Sequence, residues 1–161
     1  MRSFLVRVAA TTLLAGSLAA CGKSAPKGPP PPTGLFTSAS DCASTNKATL
    51  DECRKAIDEA LAAHEKASKV YISERLCDQQ AGTGRCEKFG DDKYRPRLAA
   101  FLITFSKPVK GDPLYAPKKA DVVGYVTANN AKTYLTIDET LIVTPAAKQI
   151  AYSFASSKGG R

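Results

Sequence analysis

Leu98-Ala99-Ala100-Phe101-Leu102-Ile103-Thr104-Phe105 is the stretch on which the fold turns. A short apolar run of this kind suits a buried strand or a buried helix. β-branched Ile103 and Thr104, with two phenylalanines, favour strand. Pro108 and Gly111 end the run. Downstream, Val122–Thr127 and Lys132–Ile137 read as two strands around Ala128-Asn129-Asn130-Ala131. Asparagine tolerates the positive φ that hairpin turns require. Thr140–Thr144 reads as a further strand closed by Pro145, and Gln149–Phe154 as a last one. Upstream the pattern is helical. Strands grouped after helices predict an α+β fold: a long, disulfide-framed N-terminal helix packed on a small antiparallel sheet with a C-terminal hairpin.

The helix is expected over Leu50 to about Lys69. Thr49 and Glu52 stand at capping-box spacing, where hydroxyl and carboxylate satisfy orphan amides of the first turn. Leu50, Cys53, Ile57, Leu61, His64 and Ala67 recur at three- and four-residue steps, which makes one apolar stripe. A shorter helix, capped by Ser73, is expected to stop at the Ala81-Gly82-Thr83-Gly84 turn.

Met1-Arg2, Arg7, an apolar run and then Leu18-Ala19-Ala20-Cys21 have the layout of an export signal. The ending resembles the lipobox of bacterial lipoproteins, which implies lipidation of Cys21 on its sulfur and removal of residues 1–20. Phe4–Ala20 is too short and too rich in Ala, Ser and Thr for a comfortable span of about 20 apolar residues. Stable anchoring takes more than one acyl chain, and lipoproteins carry several. Gly22, a non-acidic residue after the cysteine, implies the outer membrane, facing the periplasm. Residues 21–34 hold Pro26 and Pro29–Pro32. They form a semi-rigid spacer that reaches roughly 40 Å at about 3.1 Å per residue. A single domain is expected over 35–154, enough for one core, with a frayed tail over 155–161.

After Cys21, four cysteines remain: Cys42, Cys53, Cys77 and Cys86. In an exported chain an even count reads as disulfides, and four cysteines allow three pairings. A helix from Leu50 to Lys69 is roughly 30 Å long, whereas bridged Cα atoms lie within about 7 Å. That disfavours Cys53–Cys77. Cys42–Cys53 and Cys77–Cys86 are favoured, each closing a short loop worth roughly 2–3 kcal/mol. No Cys-x-x-Cys pair exists to hold zinc, and no cofactor is expected.

The chain carries a formal net charge of +8. Loss of Arg2 and Arg7 with residues 1–20 lowers it by two, to +6. From Lys93 onward, eleven Lys or Arg face four Asp or Glu, whereas Leu50–Lys69 has four basic and five acidic residues. A basic half is drawn to anionic surfaces, within about 10 Å at ordinary salt. Export argues against nucleic acid as a partner.

Little local chemistry stands out. His64, the single histidine, lies on the apolar stripe and reads as a packed, hydrogen-bonded side chain rather than a catalytic base. Gly82-Thr83-Gly84 is too short for a phosphate loop. Asp91-Asp92 and Asp138-Glu139 read as solvated acidic pairs. Glu74, Asp78 and Glu87 near Cys77 and Cys86 would raise a thiol pKa, which favours a structural bridge over a redox one. Tyr125 and Tyr134 fall on the hairpin near Lys118, Lys119 and Lys132, a combination that binds sugars or anionic polymers; cross-strand packing explains the same tyrosines without a ligand.

Leu35-Phe36, Asp41-Cys42, Cys53, Ala56, Ala60, Tyr71, Cys77, Gly82, Gly84 and Cys86 form a pattern that resembles the YgiB-like family of bacterial envelope proteins of unknown function. The likeness continues more loosely through Tyr94-Arg95-Pro96, Pro113-Leu114-Tyr115 and the Gly124-Tyr125 to Tyr134 hairpin. This chain lacks the Gly-, Gln- and Met-rich insertion and long tail of the familiar member, so functions housed there do not carry over. The resemblance supplies no catalytic residues. It implies a lipid-anchored or envelope-associated protein. With no catalytic motif in the chain and a basic C-terminal half, the expected role is a non-enzymatic binding or accessory module for an envelope protein or an anionic cell-wall or lipid polymer. The alternatives are an enzyme or enzyme accessory in thiol or polyamine-conjugate metabolism, and disulfide exchange.

Overall fold

A computed structural model describes residues 28–156. The signal segment, Cys21 and residues 157–161 lie outside the described residues. Six strands form the main sheet: β1 (Thr33–Phe36), β4 (Leu98–Thr104), β5 (Lys110–Tyr115), β6 (Gly124–Val126), β7 (Thr133–Leu135) and β8 (Leu141–Val143). Their order is β7-β6-β5-β4-β1-β8. All neighbours are antiparallel except β1 and β8, so the sheet is mixed, and larger than the small antiparallel one expected. A two-stranded ribbon, β2 (Cys86–Lys88) with β3 (Tyr94–Pro96), stands apart.

The Leu98 run is a strand and is buried on both faces, which is why it reads as apolar without alternation. Phe101 and Ile103 point to one side, where they meet Phe36 and α2 (Leu50–Ala67). Ala100 and Leu102 point to the other, with Leu35, Leu114 and the buried alanines of α4 (Pro145–Ser156). The helix α2 begins with the expected capping box: the Thr49 hydroxyl accepts from the Glu52 amide, and Glu52 accepts from the Thr49 amide at 2.8 Å. It buries Cys53, Ala56, Ile57, Ala60 and His64. Gly111 does not break the chain but lies inside β5. A Cβ built there would overlap the Ala56 carbonyl oxygen, so glycine lets helix and strand backbones touch.

Two short helices frame α2. Ser38 caps α1 (Ala39–Ala43), and Ser73 caps α3 (Glu74–Ala81). Cys42–Cys53 joins α1 to α2, and Cys77–Cys86 joins α3 to β2, the pairing favoured from sequence.

Gln149–Phe154, expected as a strand, is helical. Pro145 supplies a first-turn residue that needs no amide donor. The Thr144 hydroxyl accepts from the Ala147 amide, as an N-cap does. Ala147 and Ala151, one turn apart, press on the sheet. Thr33 and Gly34, expected in the spacer, belong to β1 and pair with Thr104 and Ile103.

Candidate functional site

A groove of about 260 Å³ opens where the C-terminal end of α2, the end of α3, β3 and the β5–β6 corner meet. Ser68, Tyr71, Gln80, Pro96, Tyr115 and Thr127 are among its lining residues. Its polar floor grows from one turn of α2. His64 follows Ala60 on the buried stripe and is 2% exposed. Ser68 closes the helix one turn later, and its amide donates to the His64 carbonyl at 2.9 Å. Tyr115 is the last residue of β5 and brings its hydroxyl 2.9 Å from His64 Nδ1. Ser68 Oγ lies 2.8 Å from the same nitrogen, and the two hydroxyls are 3.5 Å apart.

Behind the histidine is a charge cluster. Arg95 Nε donates to Glu87 Oε1 at 2.7 Å, and its Nη1 meets Glu65 Oε2 at 2.8 Å. The guanidinium also lies 4.6 Å from the Phe89 ring centroid. One arginine thereby ties α2 to both strands of the ribbon. His64 Nε2 is 3.8 Å from Glu87 Oε1.

Burial, and next the positive charge of Arg95, push the His64 pKa below its ordinary value, against the pull of Glu87 and Glu65. The ring is therefore neutral near pH 7. Placing its one hydrogen on Nε2, facing the carboxylate, is the assignment that these surroundings favour. Nδ1 is then an acceptor with a single lone pair. Of the two hydroxyls that converge on it, one donates to the ring. The other has only its neighbour's oxygen within reach, at a long 3.5 Å, and is weakly engaged. The floor of the groove thus holds unspent hydrogen-bonding capacity between the edges of two tyrosines and a proline.

A family model described as Protein of unknown function (DUF1190) matches residues 32–157. The chain belongs to this family. The match agrees with the YgiB-like pattern read from the cysteine frame. No curated protein and no solved structure matches the chain.

Within this DUF1190 domain the residues singled out from sequence separate into distinct places. Cys42, Cys53, Cys77 and Cys86 are all bridged. Cys21 lies outside the described residues. Tyr125 is not a surface binding residue: it is fully buried, and its hydroxyl donates to the Ala147 carbonyl under α4. The reason is strand alternation. Tyr115 pairs with Val126, and both line the groove, so Tyr125 faces the opposite side of the sheet. Tyr134 pairs with Tyr125 and shares that far side, with the Lys132 ammonium 4.7 Å from its ring centroid. Lys118 and Lys119 are exposed in the connection that follows Ala116.

Sequence reasoning missed Ser68, which stands alone in no motif. His64 is packed and hydrogen-bonded as expected, yet its partners line the groove. Tyr71, Pro96 and Tyr115 were within the family pattern, and only the fold shows that they share one wall.

Proposed function

We propose that this DUF1190 chain is a lipid-anchored protein of the bacterial envelope, attached through Cys21, probing its surroundings with a non-enzymatic binding or accessory domain. The groove over His64 is where another envelope component docks. The observation that carries the reading is the convergence of the Ser68 and Tyr115 hydroxyls on one buried, neutral imidazole at the groove floor. Aromatic walls with a few fixed polar groups are the ordinary make-up of a recognition site. The lipobox-like Leu18–Cys21 and the proline-rich spacer supply the address. The component is a protein or an anionic polymer.

Crosslinking in intact cells, followed by detergent purification and mass spectrometry, tests the reading. A recurrent companion, lost when the domain is exchanged but the anchor is kept, supports it. Salt separates the two classes: polymer binding weakens steeply between low and physiological salt, and a packed protein interface much less. Cys21→Ala releases the protein from the membrane fraction; full retention contradicts the anchor.

A second reading has one specific observation in its favour. Ser68 Oγ, His64 and Glu87 stand in the order nucleophile, base and carboxylate, although the Glu87 contact is long. A serine-reactive probe that labels Ser68 in the folded protein would favour an enzyme. Disulfide exchange fits less well, because Cys42, Cys53 and Cys77 are fully buried.

A further inference from the structure

The lining of the groove restricts what can occupy it. Lys69 is its one charged lining residue among those described, and no carboxylate faces it. The Lys69 ammonium lies 5.5 Å from the Tyr71 ring centroid and is in no ion pair among the described residues. Gln80 and Asn130 are exposed at the rim, and their carboxamides make no hydrogen bond among the described residues. Each carboxamide both donates and accepts. The apolar part of the lining is shallow: four alanines, Val126, and the half-buried Tyr71 and Pro96. It offers no deep apolar pocket of the kind that holds an aromatic or aliphatic anchor of a protein partner. One cation does not suit a polymer with a phosphate on every unit. The groove's volume, about 260 Å³, lies just below the range of small-ligand sites, so it takes a short segment of a chain.

The position of the groove is a second, separate observation. The chain enters the domain at Thr33, which pairs with Thr104 at one end of β4. Tyr115, on the groove floor, pairs with Leu98 at the other end. At 3.3 Å per residue those ends are roughly 20 Å apart. The groove therefore lies at the end of the domain remote from where the spacer joins it. That suits a component away from the anchoring surface better than the headgroups of that surface.

We propose that the groove binds a glycan strand of N-acetylated sugars that bear carboxylates, with Gln80 and Asn130 reading the acetamido groups and Lys69 a carboxylate. A sugar ring has an apolar face and a polar rim, which match the alanines and tyrosine edge on one hand and the carboxamides on the other. An acetamido group donates and accepts, as each carboxamide does. Widely spaced carboxylates need only one cation per bound segment. The proposal rests on the groove reading above and selects the polymer over the protein as its occupant.

The test uses the full chain in neutral detergent, titrated with soluble strands of N-acetylglucosamine alternating with N-acetylmuramic acid. The readouts are the affinity and the side-chain amide resonances of Gln80 and Asn130. Saturable binding that shifts both resonances is expected. Chitin oligomers, which keep the acetamido groups and lose the carboxylates, bind severalfold weaker, and cellulose oligomers, which lose both, weaker still. Gln80→Ala with Asn130→Gly weakens binding about tenfold, the loss of two net hydrogen bonds; glycine suits the φ of 55° at position 130. Lys69→Glu, at an exposed position, weakens it severalfold. No binding, equal binding of all three glycans, or an unchanged titration in these variants overturns the proposal. A photocrosslinker at Asn130 in intact cells separates it from the groove reading. An adduct that a glycan hydrolase trims to a discrete species supports the proposal. A protein adduct without glycan binding keeps the groove as a docking site and overturns the glycan as its occupant, and neither adduct nor glycan binding overturns both.

Discussion

His64 Nδ1 lies 2.9 Å from the Tyr115 hydroxyl, a contact that spans 51 residues and joins the last turn of α2 to the end of β5. It positions the groove floor, and it makes the imidazole's protonation state part of the fold. Because burial and Arg95 depress the His64 pKa, the folded state prefers the neutral ring. Such a group stabilises fully above the unfolded value of about 6.5. That contribution is lost as pH falls from there through the depressed folded value. The Tm is therefore expected to drop between pH 7 and pH 5. His64→Gln should flatten that part of the profile, and an unchanged slope in the variant would contradict the assignment.

Tyr115→Phe removes one of the two hydroxyls that share Nδ1. Ser68 remains at 2.8 Å, so the imidazole keeps a donor. The expected cost is about 1 kcal/mol, at the level of one net hydrogen bond. Chemical denaturation measures it. Combining it with Ser68→Ala should cost more than the two singly, because only the double variant leaves the buried nitrogen unsatisfied.

Gly111→Ala is expected to be among the most damaging single substitutions. The new methyl would meet the Ala56 backbone oxygen, which no rotamer change can move. Helix and strand must separate, at a cost of about 2 kcal/mol or more. A Tm within a degree or two of the parent would show that the α2–β5 contact is looser than described.

The Cys77–Cys86 bridge is expected to be structural. Cys77 is fully buried, and the Cys86 backbone is held in the ribbon opposite Pro96. Mild reductant should leave both bridges intact in the folded protein, read by thiol alkylation and mass spectrometry. Alkylation of Cys77 under those conditions would revive disulfide exchange as a function.

Much of the helical half was legible because its signals are local. The Thr49/Glu52 capping box, the stripe from Cys53 to His64 and the two short disulfide loops each follow from residues close in sequence. Other features depend on distant partners. β5 hides behind Gly111 and Pro113, two residues that usually interrupt strands, and exists because β4 and α2 need a close-packed neighbour. The parallel pairing of β1 with β8 spans the whole domain. The helix α4 was readable in principle from Thr144-Pro145 and the Ala147/Ala151 step, but its aromatic and β-branched residues read equally as strand. The groove was legible as separate residues only. Tyr71, Pro96 and Tyr115 meet through tertiary packing, and the face that buries Tyr125 is fixed by a register that sequence alone does not set.

The central claim is that the groove over His64 is a docking site, and site-specific photocrosslinking in intact cells tests it most directly. A crosslinker at Asn130, on the groove rim, is compared with one at Lys148, exposed on α4. The account predicts a discrete adduct from position 130 that disappears when Ser68 and Tyr115 are replaced together in a protein that still folds, and no such adduct from position 148. Equal adducts from both positions, or a groove adduct indifferent to the floor residues, would contradict it.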